Sequence, residues 1–135
     1  SALGSPLAGA ITGPGRRDLI IGAVKWNNND TGKIVLLREQ STMITSANAA
    51  SISEYITGDT TGLRFGTSNY LWYRDGANNP VLCVGAFIAN ANQGKVFLYE
   101  NIQNKAFSGT SVNADAILIP DTAGEFFGMS LTGTT

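Results

Sequence analysis

The 135-residue chain has no histidine and a single cysteine, and only 14% of its residues are charged. Each shortage closes off a class of protein. Without histidine the commonest general base and metal ligand is missing, and neither a Ser-His-Asp nor a Cys-His arrangement can be assembled within the chain. With Cys83 alone no internal disulfide can form, so the redox compartment stays open. In "VLCVGA" that residue reads as a small buried apolar side chain rather than a reactive thiol. Nine Lys and Arg against ten Asp and Glu give a net charge of −1, and no basic run is longer than Arg16-Arg17. Such a balance offers nothing to hold a nucleic acid. The longest apolar stretch, Val81 to Ala89, has 9 residues, where a membrane-spanning helix needs about 20, so no membrane insertion is expected. The ten carboxylates show no spacing that would make two of them converge, which argues against paired-carboxylate hydrolysis. The Gly-rich segments "GPGRRD" and "GDTTGLRFG" lack the Gly-Lys-Ser/Thr of a phosphate loop and read as turns. No enzyme and no cofactor are expected.

What the chain does have is glycine, small polar residues and repetition. Residues 18 to 37 read "DLIIGAVKWNNNDTGKIVLL" and residues 81 to 99 read "VLCVGAFIANANQGKVFLY". Gly32-Lys33 matches Gly94-Lys95, Asp59-Thr60 matches Asp121-Thr122, and Phe65-Gly66 with Ser68 matches Phe127-Gly128 with Ser130, always at an offset of 62. Leu3-Gly4 fits the same slot one period earlier. Gly22-Ala23 and Gly85-Ala86 differ by 63, a one-residue slip that the Asn-rich loop cancels. A fixed period of this size marks a repeat architecture. The units run 1–64 and 65–126, with 127–135 as the start of a third.

Within each unit the apolar runs are short, bounded by Gly and polar residues, and rich in β-branched or aromatic side chains, which is a strand pattern. In the second unit four such runs fall near Gly66 to Trp72, Val81 to Phe87, Lys95 to Glu100 and Ala116 to Pro120. No segment sustains helical spacing over three turns, although "STMITSANAASISEY" (41 to 55) has room for a short helical turn. The fold expected is all-β, with four-stranded antiparallel sheets of the size of propeller blades.

The order Phe-Gly-x-Ser, loop, "DLIIGA", loop, "GKIVLL" resembles the FG-GAP repeat of integrin α-type β-propellers, and the resemblance covers essentially the whole chain. It implies four-stranded blades with Phe-Gly near one strand and the Gly-Ala segment on a strand packed toward the centre, where glycine permits close backbone approach. In that family the loop after Phe-Gly-x-Ser commonly binds calcium through several carboxylates, and calcium takes six to eight oxygen ligands. Here the four ligand positions fall on Ala10, Thr12, Pro14 and Asp18 in the first unit and on Tyr73, Asp75, Ala77 and Val81 in the second. One carboxylate in four does not make a calcium site. Asp18 and Asp75 are read as remnants that serve turns, and no metal is expected.

Aromatic residues offer a second kind of site. Tyr70 and Trp72 fall on one face of a strand and Leu71 and Tyr73 on the other, so one pair packs between blades. Trp26, followed by Asn27 and Asn28, lies in a loop and is the better candidate for a surface that stacks on a sugar. Asn29-Asp30-Thr31 is a glycosylation sequon in the same loop.

A repeat unit cannot bury its faces alone, and propellers close with about four to eight blades. Two units therefore need company. Ser1 in place of an initiator Met points to a removed leader or to a piece of a longer chain. The expected partners are copies of the chain or other blades. The stub Phe127, Gly128, Met129, Ser130 and Leu131 would help carry the assembly by adding a strand to an open edge. The function this implies is a non-catalytic structural or adhesive module at the cell surface or outside the cell. The alternative is a propeller that binds a carbohydrate or protein ligand through Trp26 and the Asn-rich loops, and a third reading is an accessory part of a larger enzyme.

Overall fold

The computed structural model describes residues 3–10, 18–23, 29–37, 54–72, 74, 80–102, 105, 107–110 and 113–132. These residues form two β-sheets and one short helical turn. The strands are β1 (Leu3–Ala10), β2 (Asp18–Ala23), β3 (Lys33–Leu37), β4 (Tyr55–Thr57), β5 (Ser68–Trp72), β6 (Val81–Gly85), β7 (Val96–Tyr99), β8 (Ser108–Thr110) and β9 (Ala116–Leu118), and the turn α1 (Ala89–Asn92) lies between β6 and β7. The first sheet has the order β1-β2-β3-β4-β8 and the second β5-β6-β7-β9. The chain is thus all-β.

Each sheet is built on an antiparallel meander of four strands. The apolar content of the strands explains their place: β6, "VLCVG", is apolar or Gly at every position, and it is buried along its whole length as an inner strand. The registers of the two meanders correspond as well. Ala8 faces Ile20 as Tyr70 faces Cys83, Ile20 faces Leu36 as Cys83 faces Leu98, and Ile34 faces Ile56 as Val96 faces Leu118. Positions on β2 map to β6 with an offset of 63, while the other strands map with 62. The slip seen in the sequence is thus absorbed in the loop between two paired strands without disturbing either ladder.

The link from one sheet to the next is a short hinge that also occurs twice. Gly32 and Phe65 form an isolated parallel bridge, as do Gly94 and Phe127. The Arg64 and Phe65 amides donate to the carbonyls of Asp30 and Thr31 at 2.9 and 3.0 Å, and those of Phe126 and Phe127 donate to Asn92 and Gln93 at 2.9 and 3.1 Å. Glycine is required at the heart of each hinge. Gly32 (φ 80°) and Gly94 (φ 86°) lie in the left-handed region, and a Cβ on either would collide with the backbone of the bridged phenylalanine.

Between the sheets lies the core. Ile20, Ile34, Leu36 and Ile56 from the first sheet meet Leu71, Leu82, Val84, Phe97 and Tyr99 from the second, with Leu63 and Phe65 of the hinge in the same cluster. Phe65 is 0% exposed and packs edge-on against Phe97 and Tyr99, with ring centroids 5.2 and 6.4 Å apart. Tyr99 makes a further edge contact with Phe107 at 5.7 Å. Aromatic edges of this kind add to the burial of the rings themselves.

Two features are absent from the strand pattern read in the sequence. The three-residue β8 lies in "FSGTSVN", a Gly- and Ser-rich stretch with no strand signature, and pairs in parallel with β4, from Tyr55↔Ser108 to Thr57↔Thr110. A partner reaches the backbone donors and acceptors of β4 from the second half of the chain, and backbone pairing needs no particular side chain. The helical turn α1 is by contrast local, closed by the Gly94 amide donating to the Ala89 carbonyl at 2.9 Å. The segment 41–53, where a helical turn has room in the sequence, lies outside the described residues.

Candidate assembly surface

The second sheet has two faces, and cross-strand partners lie on the same one. Leu71, Leu82, Val84, Phe97 and Tyr99 form the face against the first sheet. Tyr70, Cys83, Leu98, Val96 and Leu118 form the other. Over that second face passes the segment from Phe127, leaving a groove of about 360 Å³ lined by apolar and aromatic groups with Thr132, with no charged side chain among the described residues that line it. Leu118 is 45% exposed at its rim.

The sheet edge and the segment that follows it hold the groove in shape. The Ser68 hydroxyl donates to the Gly128 carbonyl at 2.5 Å, and the Met129 amide donates to the Phe126 carbonyl at 3.1 Å. The Gln93 amide group donates to the Pro120 carbonyl at 2.5 Å, and Phe126 lies against Phe87 with ring centroids 6.1 Å apart. On the opposite rim Arg74 sits over the Trp72 ring at 5.8 Å while donating to Glu100 at 2.6 Å. Tyr70 and Trp72 therefore belong to the groove face, and Leu71, buried at 6%, to the core face.

Cys83 lies at the floor of the groove. Burial pushes its thiol up to about 11 from the usual 9.0, which keeps it protonated and unreactive near neutrality. Tyr99, on the core face, is also raised, first by burial and then by the charges of Asp59 and Asp115. Asp115 is shifted the other way, held below the usual carboxylate range by a hydrogen bond from Lys105 and another from the Glu100 amide.

The residues singled out in the sequence are placed as follows. Phe127, Gly128, Met129, Ser130 and Leu131 are all described: Phe127 bridges Gly94, Phe127 and Leu131 line the groove, and Met129 is 55% exposed. Residues 128–132 form a turn and bends, with the last two in no regular element, rather than a ladder. Their counterparts in β5 are held as a strand by β6, and no strand pairs with 128–132 among the described residues. Asp18 opens β2 opposite Ala10. Asn29 is exposed in the turn before β3, where its carbonyl accepts from the Gly62 amide at 2.7 Å, and the Thr31 of its sequon is buried. Trp26, Asn27, Asn28 and Asp75 lie outside the described residues. Asp59 and Asp121 occupy equivalent turns, each accepting from the hydroxyl of the next threonine, at 3.0 and 3.1 Å. Among the described residues no three His, Cys, Asp or Glu side chains come together in a way that could hold a metal ion. No helix among them is long and apolar enough to cross a membrane.

The class defined by this arrangement is an all-β protein of two stacked meander sheets with an apolar groove on the second. No protein-family model matches the chain, and no curated protein matches it.

Proposed function

We propose that the chain is a non-catalytic structural or adhesive module, built of FG-GAP-like propeller blades, that works by packing its sheets against copies of itself or against neighbouring blades at the cell surface or outside the cell. One observation carries the reading. The groove face of the second sheet corresponds, residue by residue, to the face of the first sheet that the second sheet covers: Cys83 to Ile20, Val96 to Ile34, Leu98 to Leu36, Leu118 to Ile56 and Phe127 to Phe65. A surface of that composition is a sheet-stacking surface, and the uncharged apolar lining of the groove suits packing better than chemistry. The test is the native mass by light scattering across a concentration series. Particles larger than one chain, which dissociate on introduction of a charge at Leu118, are expected. A monomer at every concentration that keeps its stability overturns the reading.

A further inference from the structure

Resting on that reading, the register correspondence also says which surface fits the groove. On the first sheet the equivalent face is covered by Leu82, Val84, Phe97 and Tyr99. One period earlier, those four positions are Leu19, Ile21, Val35 and Leu37, on the face of the first sheet turned away from the core. All four are apolar; Val35 is already buried, and Leu19, Ile21 and Leu37, which are half-buried, carry the accessible part of this face.

Sizes compensate across the same contact. The incoming residues at the Phe97 and Tyr99 positions are the smaller Val35 and Leu37, while the groove carries Tyr70 and Trp72 where the first sheet has Ala8 and Ala10. Volume lost on one side is thereby supplied on the other, which is how facing surfaces keep native packing density.

We propose that the groove of one chain receives the outer face of the first sheet of a second copy, head to tail. Leu37 of the incoming copy takes the place over Phe127 that Tyr99 takes over Phe65, where the ring centroids are 6.4 Å apart. Leu19 and Ile21 enter where Leu82 and Val84 sit in the contact within the chain. The two surfaces differ, so the contact is heterologous and each chain both gives and receives one. Chains so joined close into a ring or grow into a filament.

The experiment uses the full chain with Cys83→Ala and a cysteine at each of Leu37 and Phe127, treated with a short bismaleimide. Linked species of two or more chains are expected, while each single-cysteine chain, which has no second thiol at the contact, stays monomeric. Native particles larger than a monomer whose copies are not linked through the two cysteines overturn the head-to-tail contact and leave the assembly reading standing. A monomer at all concentrations overturns both. The unmodified chain supplies a second readout free of substitutions. Amide exchange in 18–23 and 33–37 is expected to slow together with that in 96–99 and 116–118 as concentration rises. Slowing confined to 96–99 and 116–118 means groove against groove, and overturns the proposal.

Discussion

Ile56 and Leu118 hold the same register position in the two meanders, one opposite Ile34 and the other opposite Val96, yet Ile56 is 2% exposed and Leu118 45%. Both are aliphatic side chains on short strands late in their sheets, so nothing intrinsic separates them. The first has a sheet stacked on it and the second has an open groove. The hinges differ in a parallel way. In the first, Arg64 pairs with Asp30 at 3.3 Å; in the second, the same two positions are Phe126 and Asn92, and Phe126 turns to Phe87 instead. The hinge that sits beside the interior contact carries a half-buried ion pair, whereas the hinge beside the open groove presents a phenylalanine 38% exposed. Apolar residues gather around the open groove, as the proposed assembly surface requires.

The widest gap between the two regions is expected at the paired phenylalanines. Phe65→Ala removes a fully buried ring with two aromatic neighbours and should lower the unfolding free energy by about 3–5 kcal/mol. Phe127→Ala in dilute protein should cost about 1 kcal/mol or less, because the half-buried ring has less to lose. Urea denaturation of both variants measures the difference, and equal costs would mean that the two faces are already equally covered in the single chain.

Alkaline pH sharpens the comparison at the next position, since Cys83 titrates and its counterpart Ile20 does not. The folded-state value of Cys83 is raised, so its contribution is fully present below about pH 9 and is lost as pH rises through about 11. The loss is on the order of 2–3 kcal/mol. Tyr99, raised for the same main reason, adds to the loss in the same direction. Cys83→Ala should flatten the Cys83 part of the decline in a series of melts from pH 8 to 11. An unchanged slope would show that the floor of the groove is wetter than its geometry implies.

Substitution of the hinge glycines asks whether the two hinges carry equal strain. Gly32→Ala and Gly94→Ala should each cost about 1–3 kcal/mol, from the positive φ and the collision with the bridged backbone. Similar losses from both are expected in thermal or urea unfolding. A tolerated Gly94→Ala beside a damaging Gly32→Ala would make the second hinge a loose terminus rather than an equivalent joint.

The smallest effect lies at a pair found only in the second half. Lys105 and Asp115 interact there, while the corresponding positions one period earlier are Met43 and Ser53. The lowered carboxyl of Asp115 means that its contribution is present above the ordinary carboxylate range and fades as pH falls through the folded value. The pair is partly exposed, so the stabilisation is about 1 kcal/mol or less. Lys105→Ala should return the Asp115 titration, followed by carboxyl NMR, toward the usual value.

Much of this architecture is legible in the residues. The offset of 62 places both hinges, because Gly32 and Gly94 are needed where the backbone turns left-handed and bridges Phe65 and Phe127. The strand cores follow from short apolar runs between glycines, and the one-residue slip on β6 follows from comparing the two copies. The candidate surface is partly legible: the segment Phe127 to Leu131 is marked by the repeat, but Cys83, Leu98, Val96 and Leu118 are not marked as its other wall. They look like ordinary core residues, as their counterparts in the first sheet are. The only sequence sign that could have found them is the register arithmetic carried one step further, from strands to faces.

Periodicity, turn glycines and alternating strand faces are local properties, set by the conformations that a few neighbouring residues can adopt, and so the chain alone determined that two like sheets form and where each begins. Coverage is not local. The side on which the second sheet lies against the first, the pairing of β8 with β4, and the contrast between buried Ile56 and exposed Leu118 depend on contacts between residues far apart in sequence, whose free energy appears only when water is excluded from both surfaces at once.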